Sequence, residues 1–194
     1  MKAKLTLLLS ALLFTFAGYP QEKQTTKVLL IVDIQDFYFP GGKSELVDPI
    51  PAAKNAEALL LKFRELKMPV IHIKHKFEPG GDIYYLLKPT ENEKVITKQD
   101  VSSFKGTNLD SVLTELNAGK IVICGMQTHM CVEAAVRAAA DKGYAVTLID
   151  DACATKDLVY NGVKIEAKLV HASTLATLKN YAKILSTKEY LGLK

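Results

Sequence analysis

Residues 120–143 read KIVICGMQTHMCVEAAVRAAADKG, and a change of period inside them decides the fold. Residues 120–125 are apolar without alternation, as in a strand covered on both faces. Residues 130–142 are alanine-rich with helical spacing, and Gly143 is placed to close that helix as its C-cap. A buried strand running straight into a helix requires parallel neighbours and further covering helices. Cys131 stands at the junction, in the first turn of the expected helix.

The flanking chain supplies those neighbours. Residues 27–33 (KVLLIVD) form a first strand, again continuous in hydrophobicity. A helix is expected over 51–67, with Asp48 just ahead of it, Pro51 in its first turn, and Ala56, Leu59, Leu60 and Phe63 on one face. Residues 70–74 give a second strand, 78–82 (EPGGD) a turn, 95–98 a short third strand and 109–116 a helix. Beyond Gly143, residues 145–151 (AVTLIDD) are another core strand, 163–178 a long helix and 182–186 a last strand. Together these spell an α/β fold, a three-layer α/β/α sandwich around a mainly parallel, Rossmann-like six-stranded sheet. Ligands of such sheets bind beyond the carboxyl ends of the strands, so residues with chemistry should follow the strands.

Asp33 ends the first strand, where desolvation would make its carboxylate a better base and a nearby lysine would hold it ionised. Taken alone it reads first as a loop-capping aspartate. Lys98, after the third strand, reads alone as a surface charge. Cys131 is placed where backbone N–H groups and a helix dipole would stabilise a thiolate and hold an oxyanion. Cys124 fits a buried structural position in its strand, and Cys153 is open to either reading. Three cysteines cannot all pair within one chain, so at least one thiol is free.

Three segments then match one family in order and spacing: VLLIVDIQDFYF with Asp33 and Gln35, VITKQDVSSFKGTNL with Lys98 six residues before Phe104, and GMQTHMCVEAAVRAAADKGY around Cys131. Over about residues 27–191 the chain resembles the isochorismatase-like cysteine hydrolases. His75, Asp151, Ala152, Ala154, Thr155 and His171 add to the match. The resemblance implies a triad of Asp33 as base, Lys98 and the nucleophile Cys131. It also implies a cis peptide at Met126–Gln127 and an oxyanion hole built from the Gln127 and Cys131 N–H groups. Members cleaving the vinyl ether of isochorismate do not need the thiol, so Cys131 favours a small amide or ureido substrate. The substrate pocket is expected to draw on Gln35, Phe37, Tyr38, Phe39, residues 78–85 and His129, although Phe37, Tyr38 and Phe39 would serve equally as core.

No metal and no cofactor are expected. Nicotinamidase-type zinc sites need an Asp-x-His pair, which is missing here, and His72 and His75 fall on opposite faces of a strand. The family resemblance also implies a homo-oligomer, whose neighbouring subunit could complete the pocket. The rival reading is a thiol redox or binding protein on the same fold, and no Cys-x-x-Cys pair supports it.

At 194 residues and 48% apolar composition the chain suits one domain with a short appendage. Lys2 and Lys4 precede an uncharged run over 5–17, the pattern of a secretory signal and too short to span a bilayer comfortably. A signal over 1–20 and a domain over 21–194 are expected, hence a periplasmic or secreted protein, with the cytoplasm as the alternative. Two lysines and no acids leave with residues 1–20, taking the net charge from +4 to +2. So mild a charge, with scattered lysines, excludes nucleic acid as a partner. The expected partner is a small molecule, with no stable membrane insertion once the signal is gone.

Overall fold

The computed structural model describes residues 25–192, and the expected signal over 1–20 lies outside them. In chain order the strands are β1 (Thr26–Val32), β2 (Val70–His75), β3 (Lys94–Lys98), β4 (Ala118–Met126), β5 (Ala145–Ala154), β6 (Leu158–Tyr160), β7 (Val163–Ile165) and β8 (Ala182–Leu185). The helices are α1 (Pro49–Glu65), α2 (Leu109–Glu115), α3 (Glu133–Asp141), α4 (Ala167–Leu178) and α5 (Thr187–Leu191). Six strands form one parallel sheet in the order β3-β2-β1-β4-β5-β8. The expected three-layer sandwich follows from the alternation of β1. Leu29 and Ile31 pack with Leu59, Leu60 and Phe63 of α1 on one side. Val28, Leu30 and Val32 pack with Leu113 of α2, Val136 of α3 and Leu178 of α4 on the other. Each such side chain contributes roughly 1.5–3 kcal/mol on full burial, which is why both faces of β1 are apolar. No described helix is long and apolar enough to cross a membrane.

The chain order reverses direction between β1 and β4, which makes their carboxyl ends the crevice of the sheet. Gly125 lets these strands approach there: a Cβ at this position would sit 2.0 Å from the Val32 carbonyl oxygen, and its φ of 142° suits glycine alone.

Three expectations change. Helix α1 begins at Pro49 rather than Pro51, because Asp48 takes a left-handed turn (φ 49°) and both prolines fit a first turn whose N–H groups need no helical acceptor. The helix expected over 163–178 loses its first turn to the antiparallel β6–β7 hairpin. Asn161 and Gly162 both have positive φ, the turn that reverses a two-residue hairpin, and α4 starts only after Glu166. Finally, the helix expected from residue 130 opens as a π-helical turn, Thr128–Val132, before α3 proper.

Candidate active site

Asp33, Lys98 and Cys131 meet at the crevice between β1 and β4. Asp33 leaves β1 with a left-handed backbone (φ 50°) fixed by its N–H bond to the Ile73 carbonyl at 3.0 Å. Aspartate tolerates this conformation better than most residues, and such outliers concentrate at working sites. Lys98 ends β3, two strands from β1, and its stem crosses β2 to reach the centre. Its Nζ lies 2.7 Å from Asp33 Oδ2 and 3.2 Å from Cys131 Sγ. It also approaches the carbonyls of Asp100 (3.0 Å) and Val101 (3.4 Å) and His75 Nδ1 (3.3 Å). Both members of the Asp33–Lys98 pair have fully buried side chains, and Cys131 is 6% exposed.

Burial governs the electrostatics. It pushes the Asp33 carboxyl up, while Lys98, the Cys131 thiol and His75 oppose the rise. Burial, then the Asp33 charge, push the Cys131 thiol up to about 12 against the pull of Lys98. Desolvation is the largest influence on this sulfur, and it favours the neutral thiol. Burial and the Asp33 charge thus favour the protonated sulfur, with the Asp33 carboxyl as its acidic neighbour. His75 is held below its ordinary range by burial and by Lys98, so a neutral ring accepts from Lys98 Nζ. The Met126–Gln127 peptide just before the turn is cis, as the resemblance implies.

The isochorismatase domain model matches residues 27–188. The chain belongs to the isochorismatase family. It is 39% identical to the isochorismatase family protein YddQ of Bacillus subtilis over 178 residues, covering 86% of this chain and 99% of the relative. A crystal structure from Oleispira antarctica, described as an isochorismatase hydrolase, superposes with a TM-score of 0.84 at 38% identity, covering 90% of this chain and all of that one. A streptothricin hydrolase of Streptomyces noursei is 28% identical over 141 residues, 68% of this chain and 56% of its own length.

The turn that carries Cys131 is anchored to the end of β5 and to α4. Thr128 Oγ1 donates to the Ala154 carbonyl at 3.2 Å and meets His171 Nδ1 at 3.0 Å, while His129 Nδ1 meets the Thr155 hydroxyl. These contacts occupy His129 Nδ1, one ring nitrogen of a residue expected to bind substrate. A cavity of about 250 Å³ beyond them is lined by Cys153, Thr155 and His171. Cys153 is buried and its thiol donates to the Ile149 carbonyl, and Cys124 is wholly buried in β4.

Three expected pocket residues, Gln35, Phe37 and Phe39, are engaged in backbone and core contacts. Gln35 is wholly buried, and its amide is used up on backbone: Nε2 donates to the carbonyls of His75 (2.9 Å) and Gly81 (2.6 Å), and Oε1 accepts from the His75 N–H (2.7 Å). It fixes the loop after β2, since both ends of its buried amide are engaged by backbone groups. Phe37 packs between the rings of Tyr38 (4.2 Å) and Phe77 (4.5 Å) in the core, as does Phe39 against Tyr84. Tyr38 does reach the site. Its hydroxyl bonds the Gln127 side chain and feels the Asp33 and Cys131 charges, and burial keeps it a neutral phenol.

Sequence reasoning missed the Arg64–Glu93–His72 cluster, which ties α1 and β2 to the segment leading into β3. Glu93 accepts from Arg64 at 2.7 and 2.8 Å and meets His72 Nε2 at 3.0 Å. Burial alone would raise this carboxyl, but bonds from Arg64, the Thr90 N–H and His72 hold it down at about 2. His72 thus serves the scaffold of Lys98, on the opposite face from His75. Among the described residues no His, Cys, Asp and Glu side chains group as a metal site.

Proposed function

We propose that this isochorismatase-family protein is a cysteine-nucleophile hydrolase that cleaves a carbon–nitrogen bond of a small amide or ureido substrate. The observation that carries the reading is the buried Lys98 Nζ in contact with both the Asp33 carboxylate and the Cys131 sulfur. Asp33 takes the thiol proton and Cys131 attacks the carbonyl carbon. The resulting oxyanion is held by the Gln127 and Cys131 N–H groups. Asp33 then returns the proton to the nitrogen, the C–N bond breaks, and an amine or ammonia leaves a thioester on Cys131. Water, deprotonated by Asp33, attacks the thioester; the thiolate leaves, recovers the proton, and a carboxylic acid departs. Lys98 balances the negative charge as it moves from carboxylate to sulfur and back. The steps use side chains, backbone N–H groups and water, and call on no cofactor. The likeness to a streptothricin hydrolase supports hydrolase chemistry.

The test is an ammonia-release screen over nicotinamide, N-carbamoyl amino acids, ureidoacrylate, biuret and maleamate, with mass spectrometry of the protein during turnover. An acyl adduct on Cys131 is expected with the cleaved compound, and loss of both adduct and ammonia in Cys131→Ala. Release undiminished in Cys131→Ala would sink the nucleophile assignment.

The uncharged run over 5–17 makes export part of the same reading. N-terminal sequencing of the protein from cells should begin near Gln21, and an intact Met1 end would refute export. A homo-oligomer is likewise inferred from the family resemblance, and the mass in solution by light scattering tests it: a monomer overturns it.

A further inference from the structure

We propose that the Gln127 side chain, beyond the N–H of its backbone, reads an N–H group on the substrate, so that the site selects amides and ureides bearing hydrogen on nitrogen over tertiary amides and esters. The inference rests on the amide-hydrolase reading and names the substrate class of that site.

Gln127 is only 6% exposed, and its carbonyl oxygen Oε1 is buried with no donor among the described residues. Contrast Gln35, whose buried amide satisfies every backbone partner it meets. A buried acceptor left unpaired costs about 1–3 kcal/mol, so native structures seldom keep one without a use. Gln127 immediately precedes the Thr128–Val132 turn and stands four residues before Cys131, so its unpaired Oε1 belongs to the segment that carries the nucleophile.

A carbonyl oxygen accepts and cannot donate, so its partner must bring an N–H or O–H. An amide nitrogen offers an N–H both before attack and in the tetrahedral intermediate. Holding that hydrogen leaves the nitrogen lone pair free to take the proton from Asp33, after which the C–N bond breaks. An ester oxygen or a dialkylated nitrogen has no hydrogen to give and would leave Oε1 unpaired in the complex. Sites built around such a polar partner reject analogues that lack it.

Alkylation of Cys131 tests this without a known substrate, using iodoacetamide, N,N-dimethyl-2-iodoacetamide and methyl iodoacetate. Rates on Cys131, read by mass spectrometry, are divided by rates with free cysteine to remove intrinsic reactivity. The wild type should favour iodoacetamide over both other reagents by about tenfold, the worth of one hydrogen bond of ~1.4 kcal/mol. Gln127→Met should bring both ratios to about one, and Gln127→Glu, which keeps an acceptor, should retain the preference. A wild type without preference, or a folded Gln127→Met that keeps it, overturns the inference. If Gln127→Met does not fold by circular dichroism, the wild-type and Gln127→Glu ratios decide, and loss of preference in Gln127→Glu counts against the assignment. Failure here leaves the hydrolase reading to its own ammonia screen, because alkylation requires no hydrolysis.

Discussion

Asparagine in place of Asp33 is expected to stop turnover while making Cys131 easier to alkylate. The two effects separate because Asp33 acts on the sulfur in two ways. As a base it removes the thiol proton and delivers it to the leaving nitrogen, and loss of such a group costs on the order of 10²–10⁴ in rate. As a buried charge it stands second only to burial in pushing the thiol up to about 12. Removing the charge leaves Lys98, 3.2 Å from the sulfur, as the dominant electrostatic influence, and that influence favours the thiolate. The pH at which alkylation reaches half its maximum rate should therefore fall below the wild-type value. Ammonia release should fall by at least a hundredfold in the same variant. A thiol titrating unchanged in Asp33→Asn would mean that the carboxylate does not set the sulfur's charge state. Retained turnover would mean that another group is the base.

The unequal legibility of these residues has physical causes. Continuous apolar runs such as 27–33 specify strands buried on both faces, and the strand-to-helix change near residue 126 specifies the layers, so the sheet is readable from local pattern. Asp33 and Cys131 are readable because each follows a strand that the topology brings to one crevice. Lys98 is readable only through the family resemblance. Its local sequence is that of a surface lysine, and what buries it is the length of its stem across β2, a tertiary fact. The β6–β7 hairpin announces itself in Asn161-Gly162, yet the apolar spacing of α4 extends smoothly enough backward to hide it. Gln35 and Gln127 show the limit most directly. Both are buried amides in signature segments, and nothing local tells that the first is satisfied by backbone and the second is not. The direction of the thiol shift is hidden for the same reason, since desolvation depends on packing over Cys131 contributed by distant elements.

Methionine in place of Lys98 is expected to damage stability and turnover together, and pH and a second substitution can separate the two. Methionine keeps much of the stem's volume across β2 but removes the ammonium, leaving the Asp33 carboxylate wholly buried without its counter-ion. Breaking a buried pair in this way costs about 3–5 kcal/mol near neutrality. The Asp33 carboxyl, already raised by burial, loses its main opposing influence and rises further. A folded-state value above the unfolded one means that the native protein holds its proton to higher pH. Stability from this group is then fully present below the ordinary aspartate value near 3.8 and is lost as pH rises through the folded-state value. The variant's deficit against wild type should thus be small near pH 4 and grow toward neutrality, as read from urea unfolding midpoints. Adding Asp33→Asn removes the charge that needs Lys98, so the double variant should recover much of the lost stability at pH 7.5. Turnover should not return, because neither the base nor the cation beside the sulfur is restored. A deficit independent of pH, or a double variant no more stable than Lys98→Met, would show that Lys98 is held in the core by something other than Asp33.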